Sequence, residues 1–266
     1  MAGDVEKLQP SLRLGLFMAR LGQCRQGMLL LDYDGTLAPF TPDPQAVRPY
    51  PGVSEALDSL MAAEGTRVVI VTGRALRGAP PWLGTRRQPE AWGSHGRERL
   101  LADGRYFVSG IDEFAARALA LADEWAADVE AAGGRCEVKP GCIAFHWRGA
   151  GPSQVVRIRG LLAHRFHEEA LEDVLEWCNF DGGIELRAPG TSKAAVVEAL
   201  LAEAPEGLPV AYLGDDITDE DAFIALRRRG LAILVRPHFR PTSADIWLRP
   251  PGELLTFLHA WRRASA

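Results

Sequence analysis

Cysteine is scarce in this chain. Four occur in 266 residues, at positions 24, 136, 142 and 178, and no pair has Cys-x-x-Cys spacing. They read as reduced, structural thiols of a cytoplasmic protein rather than as a disulfide framework. Long apolar runs are also missing, and none reaches the ~20 residues that cross a bilayer as a helix. There is no basic excess either. Thirty Lys and Arg against 35 Asp and Glu give a net charge of −5, which argues against a nucleic-acid partner. The opening segment, Met1 to Lys7, lacks the basic and then apolar pattern of a secretion signal. No internal repeat or low-complexity tract marks a disordered linker. What is abundant is hydrophobic residues, at 47%, enough for one large core or two modest ones.

The sharpest local signal is at residues 29–37, Leu-Leu-Leu-Asp-Tyr-Asp-Gly-Thr-Leu. An apolar run closed by Asp-Gly predicts a buried parallel strand leading into a loop. In open α/β sheets, ligands bind beyond the carboxyl ends of such strands. Asp32 and Asp34 would repel each other there unless a cation or a shared proton neutralised them. One can serve as nucleophile and the other as general acid and base, with Mg²⁺ between them and a phosphate. A strand followed by an ordinary Asp-Gly turn is the plainer alternative.

Other elements follow from periodicity and turn residues. A strand at 28–32, a helix near 53–63 and a strand at 67–71 predict a βαβ unit, with Gly65 ending the helix. Residues 12–21 read as an amphipathic helix against the core. A short strand is expected at 91–94, and 79–89 reads as an irregular loop. An alanine-rich helix is expected over 111–131, stopped by Gly133 and Gly134. Residues 135–139 and 142–147 alternate around Pro140-Gly141 and predict a hairpin. A helix near 152–170 and strands near 172–179 and 183–187 follow. The alternating grammar then returns, with helix 192–203, strand 209–213, helix 219–229 and strand 231–235. The middle block therefore reads as an α+β insertion in a parallel-sheet domain. The expected division is 1–104 and 188–266 for the core and 105–187 for the insertion.

Four segments in order resemble the haloacid dehalogenase-like (HAD) phosphatases. The first is Asp32-x-Asp34-Gly-Thr-Leu. Val68 to Arg74 brings Thr72 as the second, Lys193 opens a helix as the third, and 210–219 ends in Asp215, Asp216 and Asp219 as the fourth. The resemblance implies an α/β fold, a HAD-like doubly wound parallel-sheet core with an inserted α+β cap domain. Within that superfamily, Gly214-Asp215-Asp216-Ile217-Thr218-Asp219-Glu220-Asp221 resembles the trehalose-6-phosphate phosphatases. So do Ser94-His95-Gly96-x-Glu98, Glu137-x-Lys139 with His146-x-Arg148, and Glu185-x-Arg187-x-Pro189. The likeness runs from about 27 to 255. Thr72 replaces the family's usual Ser, Ala194 its usual Gly, and the 78–82 loop departs from the pattern.

By resemblance, Asp32 would be the nucleophile and Asp34 the acid and base. Mg²⁺ would be held by Asp32, the Asp34 carbonyl and Asp215, with Asp216 or Asp219 as outer or alternative ligands. Asp216 and Asp219 read equally well as helix-start acids, and Glu220 and Asp221 read only as such. Thr72 and Lys193 would hold the phosphoryl oxygens. Arg74, His95, Lys139, His146 and Glu185 would contact the substrate, with pairing to an acid as the structural alternative for Arg74. The implied partner is a small sugar phosphate, with no nucleic acid and no membrane, and the chain is expected to be a monomer. Another sugar phosphate, or a non-catalytic phosphate-binding role, stays open. His164 and His167, three apart on a helix, read as a solvated face.

Overall fold

The computed structural model describes residues 10–41, 46–76, 83–227 and 229–266. The opening residues and part of the 79–89 loop, including the 78–82 departure, lie outside these. The elements in chain order are α1 (Pro10–Cys24), β1 (Gly27–Leu31), α2 (Val53–Ala62), β2 (Thr66–Val71), β3 (Glu90–Gly93), β4 (Glu98–Leu100), β5 (Tyr106–Val108), α3 (Glu113–Asp123), α4 (Ala126–Ala131), β6 (Arg135–Lys139) and β7 (Cys142–His146). Then come α5 (Pro152–Glu168), β8 (Glu176–Phe180), β9 (Gly183–Arg187), α6 (Lys193–Glu203), β10 (Val210–Gly214), α7 (Glu220–Leu226), β11 (Leu231–Val235), β12 (Ile246–Leu248) and α8 (Gly252–Ala264). Among the described residues no helix is long and apolar enough to cross a membrane.

The large sheet has the order β12-β11-β10-β1-β2-β3-β4-β5. It is parallel from β12 to β3, and β4 and β5 join antiparallel. Both faces of its central strands are apolar, as a sheet covered on two sides requires. Leu29, Leu31, Val68, Ile70, Ala211 and Leu213 enter one core with α1, α2 and α8. Their neighbours Met28, Leu30, Val69, Val71, Val210 and Tyr212 enter the other with α6 and α7. The chain leaves β1 in one direction to β2 and later returns on its other side as β10. Ligands bind at such a switch point. Leu31 is in register with Ile70 and Leu213, so Asp32, Thr72 and Asp215 emerge at the same edge.

The second sheet is antiparallel, with the order β6-β7-β9-β8. One face carries Ile143, Phe145, Ile184 and Leu186, packed with α3, α4 and α5 around Trp125, Ile158 and Leu162. Each such side chain contributes about 1.5–3 kcal/mol by burial. The alternate residues, Glu137, Lys139, Glu185 and Arg187, therefore share the opposite face.

Several expectations are refined by packing. The helix expected over 111–131 breaks into α3 and α4 where Trp125 turns inward and stacks on Phe145, with ring centroids 6.2 Å apart. The strand expected from 172 starts at Glu176, after a 3-10 turn at Leu171–Asp173. The helix expected over 219–229 is only Glu220–Leu226. β4, β5, β12 and α8 were not expected. Three-residue strands are too short to show alternation. Because β5 is part of the large sheet, that sheet continues past residue 104, where the insertion was expected to begin.

Candidate active site

Asp32 and Asp215 follow β1 and β10 directly and are both buried. The Thr36 hydroxyl lies 3.3 Å from Asp32 Oδ2 and 3.3 Å from Asp215 Oδ1. It has one proton, so it can serve only one carboxylate at a time. Gly35 makes the approach possible. Its φ is 84°, and a Cβ there would stand 2.2 Å from Asp215 Oδ2. Lys193 Nζ donates to Asp32 Oδ1 and to Asp219 Oδ1, each at 2.7 Å. Ser192 caps α6 by accepting from Ala195 N at 3.1 Å, and so fixes the helix that carries Lys193.

Burial pushes Asp32 up to about 7; Lys193 opposes this and Asp219 adds to it. Burial and then the Asp32 charge hold Asp215 well above the carboxylate range. Lys193 is raised despite its burial, because Asp219 and Asp32 flank it. Asp32, Asp215 and Asp219 present oxygens within 4.8 Å of one another, so one lysine faces three buried acids.

Asp219 differs from the other two. Its Oδ1 accepts from Lys193 and from the Tyr212 hydroxyl at 2.6 Å, and its Oδ2 accepts the N–H groups of Asp215 and Asp216 at 3.0 Å each. Four donors fill a carboxylate's capacity, so Asp219 fixes the loop and the lysine. Asp32 and Asp215 keep unused lone pairs aimed at a shared space. That oxygen set, with its uncompensated charge, fits a hard divalent cation.

Asp34 and Asp216 line the same cavity but do not join the three-acid cluster. The Asp34 carboxylate meets the Arg74 guanidinium through Nε and a terminal nitrogen, both at 2.6 Å. Asp216 Oδ2 accepts from the N–H of Asp181, on the β8–β9 turn, at 3.3 Å. Thr72 is buried, and its hydroxyl accepts from Arg74 N at 3.2 Å.

A cavity of about 390 Å³ separates these groups from the second sheet. Across it, Lys139 pairs with Glu185 and also donates to the Gly73 carbonyl at 3.0 Å. Arg187 donates twice to Glu185 Oε2, at 2.8 and 2.6 Å. Burial alone would raise the Glu185 carboxyl, but His95, Lys139 and Arg187 outweigh it and hold Glu185 well below the usual range. His146 lies 3.1 Å from Glu137, and that bond draws the Glu137 carboxyl down to about 2 against its burial. Arg148 stacks over Phe40, 4.7 Å from the ring centre. His164 and His167 stand away from the cavity, beside Glu168 and Glu172 respectively.

His95 reaches this cluster from a strained turn, with φ of 47° at Ser94 and 50° at His95. Both are sparsely populated for non-glycine residues. Glu98 holds the turn by accepting from the Ser94 hydroxyl and from Leu76 N. His95 Nε2 is 2.8 Å from Glu185 Oε2 and 3.1 Å from an Arg187 nitrogen. Arg187 is already met twice by Glu185, so the ring is best assigned with its proton on Nε2, donating to Glu185. Nδ1 then has no partner among the described residues.

Burial, and then the Arg187 cation, pushes His95 down to about 3. The unfolded chain therefore takes up a proton near pH 6.5 that the folded chain refuses. The resulting stability is complete above pH 6.5 and is lost as pH falls from 6.5 toward 3. Between pH 7 and 5 that loss is roughly 2 kcal/mol. The stability gap between parent and His95→Gln should narrow by that amount over the same interval in urea unfolding. Parallel pH profiles would show that the ring titrates alike in the folded and unfolded states and overturn this reading.

Sequence reasoning gave no role to Thr36 or Tyr212, placed Arg187 on the cap strands without assigning it a contact, and left Asp219 between two readings. Thr36 lies inside the first motif and Arg187 alternates with Glu185, so both had a signal. Tyr212 lies in the strand before the fourth motif, and nothing in that strand signals its hydroxyl contact with Asp219.

A parallel sheet with acids at its switch point and a polar antiparallel sheet above it define a HAD-like fold. The chain belongs to the trehalose-phosphatase family, whose profile matches residues 30–248. It is 34% identical to a trehalose-phosphate phosphatase of Mycobacterium avium over 88% of this chain and 61% of that protein. It is 32% identical to a probable trehalose-phosphate phosphatase of Sinorhizobium fredii, over 85% of this chain and 84% of that one. The C-terminal domain of the C. albicans trehalose-6-phosphate phosphatase shares the fold at a TM-score of 0.77 and 21% identity, over 94% of this chain and 96% of that one. The chain spans about 60% of the length of the first mycobacterial relatives it matches.

Proposed function

We propose that this chain is a cytoplasmic, Mg²⁺-dependent phosphatase that hydrolyses trehalose 6-phosphate to trehalose and phosphate. One observation carries the reading. A single cavity has Asp32, Lys193 and Thr72 at one end and a sheet face of Lys139, Glu185 and Arg187 at the other. The first end suits a phosphoryl group, and the second suits hydroxyls read by directional hydrogen bonds. Names of the relatives point the same way. The elements between β5 and α6 would act as the cap.

Asp32 attacks phosphorus in line and forms an aspartyl-phosphate. Lys193 stays on Asp32 and the phosphoryl oxygens and offsets their charge. Thr72 donates its hydroxyl to a phosphoryl oxygen. Asp34 protonates the leaving sugar oxygen, then takes a proton from the water that cleaves the intermediate. For that, one Asp34 oxygen must leave Arg74, and an anionic phosphate beside the guanidinium draws it across. Mg²⁺, held by Asp32, the Asp34 carbonyl and Asp215, would supply positive charge to the transferring group. Asp216 would act in its outer shell or on the cap turn. Lys139 and Glu185 would hold sugar hydroxyls, with His95 and His146 beside them. A closed cap excludes water during the first transfer.

The test is phosphate release from a panel of sugar phosphates, with and without Mg²⁺. Trehalose 6-phosphate should exceed glucose 6-phosphate and sucrose 6-phosphate in kcat/KM by roughly 10²-fold or more. Metal-dependent turnover that favours another sugar phosphate would keep the chemistry at Asp32 and reject the sugar assignment.

A further inference from the structure

The chain crosses between the two sheets twice. It leaves after β5 through 109–112 and returns before α6 through 188–192. One side chain touches both crossings. Arg97 follows the strained turn that carries His95. Its Nε donates to the Thr191 hydroxyl at 2.6 Å, one terminal nitrogen to the Gly110 carbonyl at 3.1 Å, and the other to the Pro189 carbonyl at 2.5 Å. The backbone joins in, because the Arg97 carbonyl accepts from Ser109 N at 2.7 Å.

The same side chain also reaches the cap. Its stem lies against Gly141 in the β6–β7 turn, where φ is 71° and an added Cβ would stand 2.8 Å from Arg97 Cγ. Gly141 in turn accepts from Ala188 N at 2.9 Å. The guanidinium is planar and presents its donors in a fixed fork. Three acceptors met by one fork cannot slide past each other without breaking a bond. Thr191 stands two residues before Lys193, so the fork also meets the segment that starts the lysine's helix.

We propose that Arg97 is a positioning residue that sets the closed angle of the cap. It pins the outgoing and returning crossings together and so places Lys139 and Glu185 opposite Asp32. The proposal rests on the reading of the second sheet as a substrate-binding cap. Arg97 itself lies outside the cavity lining and touches no reacting atom. A lid that closes at a defined angle is worth most to a substrate held at both ends. A phosphate ester without a sugar should feel it little.

Arg97→Met keeps the stem and removes the donors. It should raise KM for the sugar phosphate roughly tenfold or more, while kcat/KM for an aryl phosphate stays within about twofold. Arg97→Lys should recover part of the loss, and Thr191→Val should show a smaller shift in the same direction. A second readout does not depend on the sugar. Spin labels at exposed Cys24 and at His164→Cys, with Cys136 and Cys178 replaced by Ser, report the separation of core and cap. The distance distribution should broaden and lengthen in Arg97→Met. An unchanged distribution, or equal loss on sugar and aryl phosphates with only a lower melting temperature, overturns the proposal. If Arg97→Met does not fold, unchanged distances in both Arg97→Lys and Thr191→Val do so. If another sugar phosphate proves to be the substrate, the distance measurement still decides.

Discussion

Asp32→Asn should lower turnover of any phosphate ester by roughly 10³-fold or more, since an amide cannot replace a carboxylate nucleophile. The fold should survive. Lys193 retains Asp219 at 2.7 Å, and an Asn carbonyl oxygen can take the place of Asp32 Oδ1. The substitution also removes one of two buried carboxylates that share the Thr36 hydroxyl at 3.3 Å. Burial and crowding already push Asp32 up to about 7, so its charge is a cost to the metal-free fold at neutral pH. In EDTA the variant should therefore melt at the parent temperature or above it. With Mg²⁺ the order should reverse, because the variant has lost a charged ligand. Phosphate release and paired melting curves read both effects. Full turnover by Asp32→Asn would remove Asp32 as the nucleophile, and a variant that melts lower in EDTA would show that its charge is needed for folding.

The parts of this molecule that were legible in the sequence are those with a period or a terminal signal. The apolar runs before Asp32, Thr72 and Asp215 announce buried parallel strands. Their register brings those residues to one edge. The alternation of Glu137 with Lys139 and of Glu185 with Arg187 announces a sheet with one polar face. What stayed hidden is pairing between distant segments. Pairing of Arg74 with an acid was an open alternative, but nothing local to Asp34 says that it is the acid Arg74 takes. Nothing local to Asp219 distinguishes a metal ligand from a group already holding four donors. That difference depends on Lys193, Tyr212 and two backbone N–H groups arriving from other elements. The same holds for Arg97, whose side-chain partners Gly110, Pro189 and Thr191 all lie outside its own segment. The β4–β5 extension was missed because three residues cannot display a pattern.

Lys193→Met should be the most destabilising single change in the acid cluster. It leaves Asp32, Asp215 and Asp219 buried without a cation, and breaking one side of a buried pair costs about 3–5 kcal/mol. The cost should depend on pH with a definite sign. Without the lysine, burial and mutual repulsion raise the folded-state carboxyls above their unfolded values. Groups raised in this way favour the fold at low pH and lose that contribution as pH rises through the folded value. The deficit against the parent should thus be largest near pH 8 and shrink toward pH 5. Mg²⁺ should stabilise the variant more than it stabilises the parent, since it supplies the missing positive charge beside Asp32 and Asp215. Urea unfolding at both pH values, in EDTA and in Mg²⁺, separates these terms. A deficit that is the same at both pH values and indifferent to metal would mean that Lys193 acts through packing alone. Turnover should fall as well, by roughly 10²-fold or more even where the variant is folded, because the phosphoryl oxygens lose their fixed cation. Loss of activity that persists under conditions restoring stability assigns Lys193 to the chemistry as well as to the fold.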